Sequence, residues 1–254
     1  MTLPSFIYPD WPAPKHIKAY VSTRGGGFSQ APFDSLNVAQ HVNDDAAVVA
    51  KNRTLLPMYE NINWLTQIHS TTCINLDIKQ PSKIEADASY SCIKNQVSAV
   101  MTADCLPLLL CDTKGTVVGA IHAGWRGLAA GVIENTLTAM GVKPSEMLVW
   151  LGPAISQSNF EVGRDVKDAF DNYPEAFVAS NLADSDKFLA DLYLIARLKL
   201  QSLGVSKIFG GEFCTYEQKD LFFSHRRATH EMIATGGKPS HATTGRMLSA
   251  IYIS

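Results

Sequence analysis

With 254 residues, 46% of them hydrophobic and 18% charged, the chain has the composition of a folded globular protein and not of a disordered one. Twenty-two basic residues against twenty-four acidic ones give a formal net charge of -2 with no block of like charge, which argues against a nucleic-acid partner. The apolar runs are too short to span a membrane, residues 1–10 lack the pattern of a signal peptide, and five cysteines without a C-x-x-C pair point to reduced thiols and a cytoplasmic location.

No linker rich in Pro, Gly or Ser and no repeat of fixed period divides the chain. Residues 16–22 alternate as a half-buried strand does and run into a turn at Gly25-Gly26-Gly27. A helix is expected over 44–58, opened by Asp44 and Asp45 and closed near Pro57. Strands are expected over 62–68 and 72–76, flanking a bend at His69-Ser70. The runs 97–102 and 106–110 have the look of buried strands, interrupted by Ala103-Asp104-Cys105. Residues 116–121 form another strand that ends at His122, and a helix over 128–140 follows, with Gly141 suited to its C′ position. A strand over 147–151 stops at Gly152-Pro153, a helix over 186–203 ends at Gly204, and late strands cover 205–209 and 247–253. Strands alternate with helices in only part of the chain, which favours mixed sheets over a regular βαβ barrel.

His69, Cys105 and His122 each fall at the end of an expected strand, where side chains can converge on a cleft. Imidazole and thiolate are ligands that zinc favours, and three of them leave a fourth position for water or substrate. Spacing alone leaves this set open against a buried core thiol and two hydrogen-bonded loop histidines. The same residues also fit a nucleophile, Cys105, activated by His69 or His122, with Asp104 orienting a histidine. H-E-x-x-H is absent, and the seven histidines contain no H-x-H pair, which weighs against a multicopper oxidase. Arg24 beside the glycines suits an anion such as phosphate, as do Arg126 after Trp125 and the pair Arg226-Arg227; each reads equally as a surface residue.

Longer segments carry a family resemblance. Thr102-Ala-Asp-Cys-Leu-Pro107, Ile121-His-Ala-Gly-Trp-Arg-Gly127 and Leu151-Gly-Pro-Ala-Ile155 resemble the hallmark segments of the YfiH family. Its other names are the laccase-domain or polyphenol-oxidase-like family, and its members are also described as purine nucleoside phosphorylases and peptidoglycan editing factors. Ser22-Thr-Arg-Gly-Gly26, Asp34-Ser-Leu-Asn37, Gln67-Ile-His69, Ala86-Asp-Ala-Ser89, Phe160-Glu-Val-Gly163, Cys214-Thr-Tyr216 and Thr244-Gly-Arg246 match further, in family order along nearly the whole chain. The resemblance implies an α+β fold, a single-domain α/β/β/α sandwich with mixed sheets flanked by helices over residues 1–254. It implies that His69, Cys105 and His122 bind a metal, with zinc expected and copper the alternative.

The implied activities are phosphorolysis of adenosine, inosine and methylthioadenosine and deamination of adenosine, which makes a purine nucleoside and phosphate the small-molecule partners. Cys105, His69, His122 and Asp104 are then the catalytic candidates, and Arg24, Asn37, Arg126 and Arg226 the substrate-binding ones. A Cys–His hydrolase or transferase editing peptidoglycan precursors ranks second, and a copper-dependent polyphenol oxidase last. The chain departs from the family pattern at His225, where an aromatic residue usually precedes the two arginines, and over 228–243, which looks like a longer loop. A loop there that bordered the cleft would alter substrate preference.

Overall fold

The computed structural model describes residues 3–81, 83–180 and 186–254. The first half of the chain supplies β1 (Phe6–Ile7), β2 (Ile17–Ser22), α1 (Ala46–Arg53), β3 (Cys73–Asn75), β4 (Ala88–Ser91), β5 (Ser98–Thr102), β6 (Leu106–Asp112) and β7 (Val118–Ala123). The second half adds α2 (Trp125–Ala130), α3 (Val132–Met140), β8 (Met147–Leu151), β9 (Glu161–Gly163), α4 (Arg164–Asp168), β10 (Phe177–Ala179), β11 (Lys187–Ala190), α5 (Leu192–Ser202), β12 (Lys207–Gly210), α6 (His225–Ala234) and β13 (Met247–Ile253).

Alternation along the central strands sorts their side chains onto two faces. Leu106, Leu108, Leu110, Val149 and Leu151 pack against Val132, Ile133 and Leu137 of α3 and Ile195, Ala196 and Leu200 of α5. Between them, Leu109, Cys111, Leu148 and Trp150 point the other way, onto Val21, Val100, Met247 and Ile251 of a second sheet. The far face of that sheet carries Tyr20, Ala99, Met101, Leu248 and Ala250, covered by Phe33, Val38, Val42 and Leu56 from the segment that contains α1. The result is an α/β/β/α sandwich. One sheet has the order β12-β8-β6-β7-β4-β3 and is mixed, with β12/β8 and β3/β4 parallel and the rest antiparallel. The other has the order β1-β2-β13-β5 and is antiparallel, and β10-β11-β9 forms a small third sheet. Leu106, Leu108, Leu109 and Leu110 are fully buried, so truncating any of them to alanine is expected to cost ~2–5 kcal/mol.

Several elements differ from their sequence-based expectation. The first helix is shorter, because the Asp45 side chain caps it by accepting from the N–H of Ala47 and Val48, and it ends at Thr54. Residues 62–68 form no strand, only isolated bridges at Ile62 and Thr66. There the Gln67 side chain takes the place of a strand neighbour, donating to the Met101 carbonyl (2.8 Å) and accepting from its N–H (2.7 Å). The expected helix over 128–140 begins earlier and is broken at Gly131, whose φ of 103° suits glycine and separates α2 from α3. The expected helix over 186–203 opens instead as β11, and helical turns begin only after Asp191, whose carboxylate accepts from the N–H of Leu194 (2.9 Å). The supposed loop over 228–243 begins as the C-terminal part of α6, to Ala234, and later makes a short 3₁₀ turn at Pro239–His241. No helix among the described residues is long and apolar enough to cross a membrane.

Candidate metal centre

Asp87 stands just before β4 and is completely buried. Its carboxylate accepts from the backbone N–H of Ile68 (3.2 Å), His69 (3.0 Å) and Ser70 (2.6 Å), the Ser70 hydroxyl (2.8 Å) and Nδ1 of His122 (2.8 Å). Burial by itself raises the pKa of this group, but the donors from His122 and Ser70 outweigh it and hold the carboxyl at about 2. The 68–70 turn is thereby wrapped around a fixed anion, and His69 at its apex adopts a left-handed φ of 59°. Because an ionised carboxylate only accepts, the Nδ1 hydrogen of His122 is assigned to this bond, which leaves Nε2 as the nitrogen that would give up its proton to a metal.

Cys105 enters from the turn before β6, after Asp104 at a φ of 87°, and His122 lies near the end of β7, paired with Pro107. The Sγ of Cys105 is 3.9 Å from Nε2 of His69, and ligand atoms of the three residues all lie within 4.8 Å of one another. The two imidazole rings are edge to face, with centroids 4.8 Å apart. Burial raises the thiol, yet His122 and His69 overcome it and bring Cys105 down to about 6. Burial likewise lowers His122, and Cys105 and Asp87 reverse that and lift it to about 9. The two groups therefore stand as thiolate and imidazolium when nothing else binds them.

The donor set fits a metal. Nitrogen and sulfur ligands sharing one tetrahedral zinc lie roughly 3.3–3.6 Å apart. A contraction of a few tenths of an ångström brings the 3.9 Å Cys105–His69 pair into that range, and the widest spacing, up to 4.8 Å, closes by a further side-chain rotation of about an ångström. Gly124 keeps the space clear, since a Cβ there would stand 2.6 Å from Cδ2 of His69 and 3.1 Å from Sγ of Cys105. His69 is exposed, Cys105 half-buried and His122 buried, so the triad opens to solvent on one side. This is the one such group of ligand side chains among the described residues.

The other sequence candidates are placed less directly. Asp104 orients no histidine: its carboxylate accepts from the Thr215 hydroxyl and the N–H of Arg226, both at 2.7 Å, and the acid on His122 is Asp87. Arg24 donates to the Asp34 carbonyl and carboxylate and to the Lys219 carbonyl, which pins two loops together and commits its guanidinium. Asn37 is buried and fully satisfied, donating to Ala39 and Asp44 and accepting from the N–H of Ala39 and Arg246, which makes it a structural brace. Arg126 is exposed and lies over the ring of Trp125 at 4.4 Å. Arg226 lies over Phe160 at 5.5 Å with Nη1 3.4 Å from the Asn159 carbonyl, whereas Arg227 donates to the carbonyls of Thr215, Tyr216 and Phe222.

Two residues without an assigned role in the sequence matter here. Asp87 sits in the Ala86-Asp-Ala-Ser89 segment and Arg246 in Thr244-Gly-Arg246, so the motif matches marked both without saying what they touch. Arg246 lines a cavity of about 490 Å³ with His41, His225 and residues 240–243. Arg246 precedes Met247, which pairs with Thr102 three residues before Cys105, so this cavity lies toward the turn that carries the triad thiol.

Fold and site together define a four-layer α+β protein with one candidate His–Cys–His metal centre among the described residues, open on one side. The chain belongs to the YfiH family: the family model described as "Multi-copper polyphenol oxidoreductase laccase" matches residues 18–254. It is 45% identical over 256 residues to a purine nucleoside phosphorylase of Pseudomonas aeruginosa, covering 98% of each chain. It is 44% identical over 251 residues to the purine nucleoside phosphorylase YfiH of Escherichia coli, covering 97% of this chain and 98% of that one. Among solved structures, a Neisseria meningitidis protein superposes with a TM-score of 0.86 at 44% identity, covering 98% of this chain and 99% of that one. YlmD of Geobacillus stearothermophilus gives a TM-score of 0.83 at 28% identity, covering 100% and 97%.

Proposed function

We propose that this chain is a zinc-dependent purine nucleoside enzyme that cleaves adenosine, inosine and methylthioadenosine by phosphorolysis and deaminates adenosine. It would act as one catalytic domain over residues 1–254, in a reducing compartment such as the cytoplasm that keeps Cys105 a free thiol. The observation that carries this reading is near-full-length likeness, at 44–45% identity, to proteins named purine nucleoside phosphorylases. The open three-ligand site beside a cavity agrees with it.

His69, Cys105 and His122 would hold the zinc, which when bound supplies Lewis acidity toward a substrate atom. Asp87 retains the proton on Nδ1 of His122 and keeps Nε2 available as a ligand. The Cys105 thiolate brings the negative charge that makes the site favourable for a divalent cation. Copper would compete for the same thiolate–imidazole set, and phenol oxidation is the weakest reading because one triad falls short of a multicopper cluster.

The test is turnover of adenosine, inosine and methylthioadenosine by purified protein with and without phosphate, with products separated by chromatography. Adenine and hypoxanthine formed only with phosphate report phosphorolysis, inosine formed from adenosine reports deamination, and Cys105→Ala abolishes both. Absence of all three products from the metal-loaded protein overturns the reading. The lowered thiol of Cys105 beside an imidazolium favours one alternative, a cysteine hydrolase or transferase acting on amide bonds of peptidoglycan precursors. That enzyme would survive chelation and die on alkylation; the metal enzyme is stopped by chelation, and its thiol is open to alkylation only once the metal is removed.

A further inference from the structure

Arg246 leads into β13 and is half-buried. Its Nη1 donates to the carbonyls of Thr244 (2.8 Å) and Gly245 (3.2 Å), and its backbone N–H to Asn37 (3.0 Å). Nε and Nη2 meet no acceptor among the described residues, and none of the ion pairs found among them includes Arg246. Desolvation lowers the pKa of the guanidinium, and only Cys105 and Asp104 act in the other direction. Neither is hydrogen-bonded to it, and the Asp104 oxygens accept instead from Thr215 and the N–H of Arg226. A desolvated guanidinium with two free donors and no carboxylate is incomplete, and its planar fork matches a tetrahedral oxyanion.

The cavity it faces has the same bias. Its walls include His41, His225, His241, Ser240 and Arg246 and contain no carboxylate. Arg53 and Arg226 add positive charge nearby, felt at His41 and His225 respectively. His225, the departure from the family pattern, lines this cavity. A cavity lined by Arg24 and Arg227 behaves oppositely. Both of its guanidiniums are committed to carbonyls and Asp34, and Asp34, Asp220 and Glu231 stand in its walls.

We propose that Arg246 and its cavity form an anion subsite beside the metal centre, which takes a tetrahedral oxyanion, either inorganic phosphate or the phosphate of a nucleotide. As a co-substrate site it rests on the phosphorolysis reading above. A phosphate oxygen held there attacks C1′ of the ribose as the C1′–N9 bond breaks. The bonding pair leaves with the purine, which takes up a proton, and ribose 1-phosphate remains.

The experiment is calorimetric titration of the metal-loaded protein with inorganic phosphate and, separately, with AMP, paired with KM values for phosphate and nucleoside. Arg246→Gln is expected to weaken phosphate binding about 30- to 100-fold and raise its KM equally, with the nucleoside KM changed about threefold or less. Arg246→Lys, which keeps the charge without the fork, is expected to lose about tenfold. His225→Phe leaves Arg246 in place and lowers phosphate affinity about three- to tenfold, which keeps the test open if Arg246 variants unfold. Phosphate binding that AMP does not compete for identifies free phosphate as the ligand; AMP binding displaced by phosphate identifies a nucleotide. Unchanged phosphate affinity in folded Arg246→Gln, or a wild-type protein that binds neither anion, overturns the subsite. Nucleoside turnover with an unaltered phosphate KM in Arg246→Gln removes the subsite and leaves phosphorolysis standing. Phosphate binding lost in Arg246→Gln without any nucleoside turnover keeps the subsite and removes phosphorolysis.

Discussion

Oδ1 of Asp87 receives Nδ1 of His122 at 2.8 Å and the backbone N–H of His69 at 3.0 Å, so a single buried oxygen holds the ring of one histidine and the backbone that carries the other. Asp87→Asn is expected to lower metal affinity by about 10- to 100-fold, because an amide cannot accept from all of these donors or hold the charge that favours the ligating tautomer. Competition against a chromophoric chelator measures this. Wild-type affinity in the variant would show that the carboxylate is not needed to hold the ligands.

The five cysteines should separate sharply by reactivity. In metal-free protein near pH 7, Cys105, brought down to about 6, is mostly thiolate, whereas burial pushes Cys73 up to about 11 and Cys111 up to about 12. Brief treatment with iodoacetamide followed by peptide mass spectrometry is expected to find Cys105 alkylated well before Cys73 and Cys111, and zinc is expected to protect it. Equal labelling of the three would contradict the thiolate–imidazolium pair.

Gly124 has a φ of -64°, which any residue can adopt, so its requirement is space and not conformation. Gly124→Ala should leave the fold intact and push a methyl group against His69 and Cys105, reducing bound metal and activity together. Metal stoichiometry by mass spectrometry, with a thermal melt as the folding control, tests this. Full metal occupancy in the variant would mean that His69 swings aside at no cost.

Asp112 gives an acid-dependent contribution to stability away from the metal. Burial raises its pKa, but the Thr116 hydroxyl and the N–H groups of Thr116, Val117 and Lys114 override that and lower it. A depressed folded pKa means that the carboxylate stabilises above its unfolded value near 4 and ceases to do so as the pH falls through the folded one. Urea unfolding of wild type and Asp112→Asn should therefore show a gap at pH 7 that narrows at pH 3. A gap that stays constant would assign the effect to packing.

How much of this was legible beforehand depends on how local its cause is. The core strands 98–102, 106–112 and 147–151 were visible because long apolar runs bounded by Gly, Pro or Asp admit few alternatives. The helix expected over 186–203 failed at its start, since Phe188 and Leu189 suit either state and pairing with β9 and β10 decides between them. Residues 62–68 failed for a similar reason, with a glutamine side chain standing in for backbone pairing. That His69, Cys105 and His122 converge was suggested by motifs and not by spacing. Asp87 and Arg246 stayed silent because their meaning comes from partners far away in sequence. A carboxylate beside a strand or an arginine before one is ordinary until the chain closes around it.

β13 lies between β2 and β5, so the middle of the antiparallel sheet is filled by its last-made strand. During synthesis the edges of β2 and β5 must wait, unpaired, until the ribosome has passed residue 253. The nascent chain therefore carries two sticky edges for most of its time on the ribosome, a period in which chaperones have something to shield. Arg246 immediately precedes that strand, so the anion cavity and the finished sheet arrive in the same step. A chain interrupted before this point would be left with triad residues but no closed scaffold around them, and quality control could recognise it by its open edges.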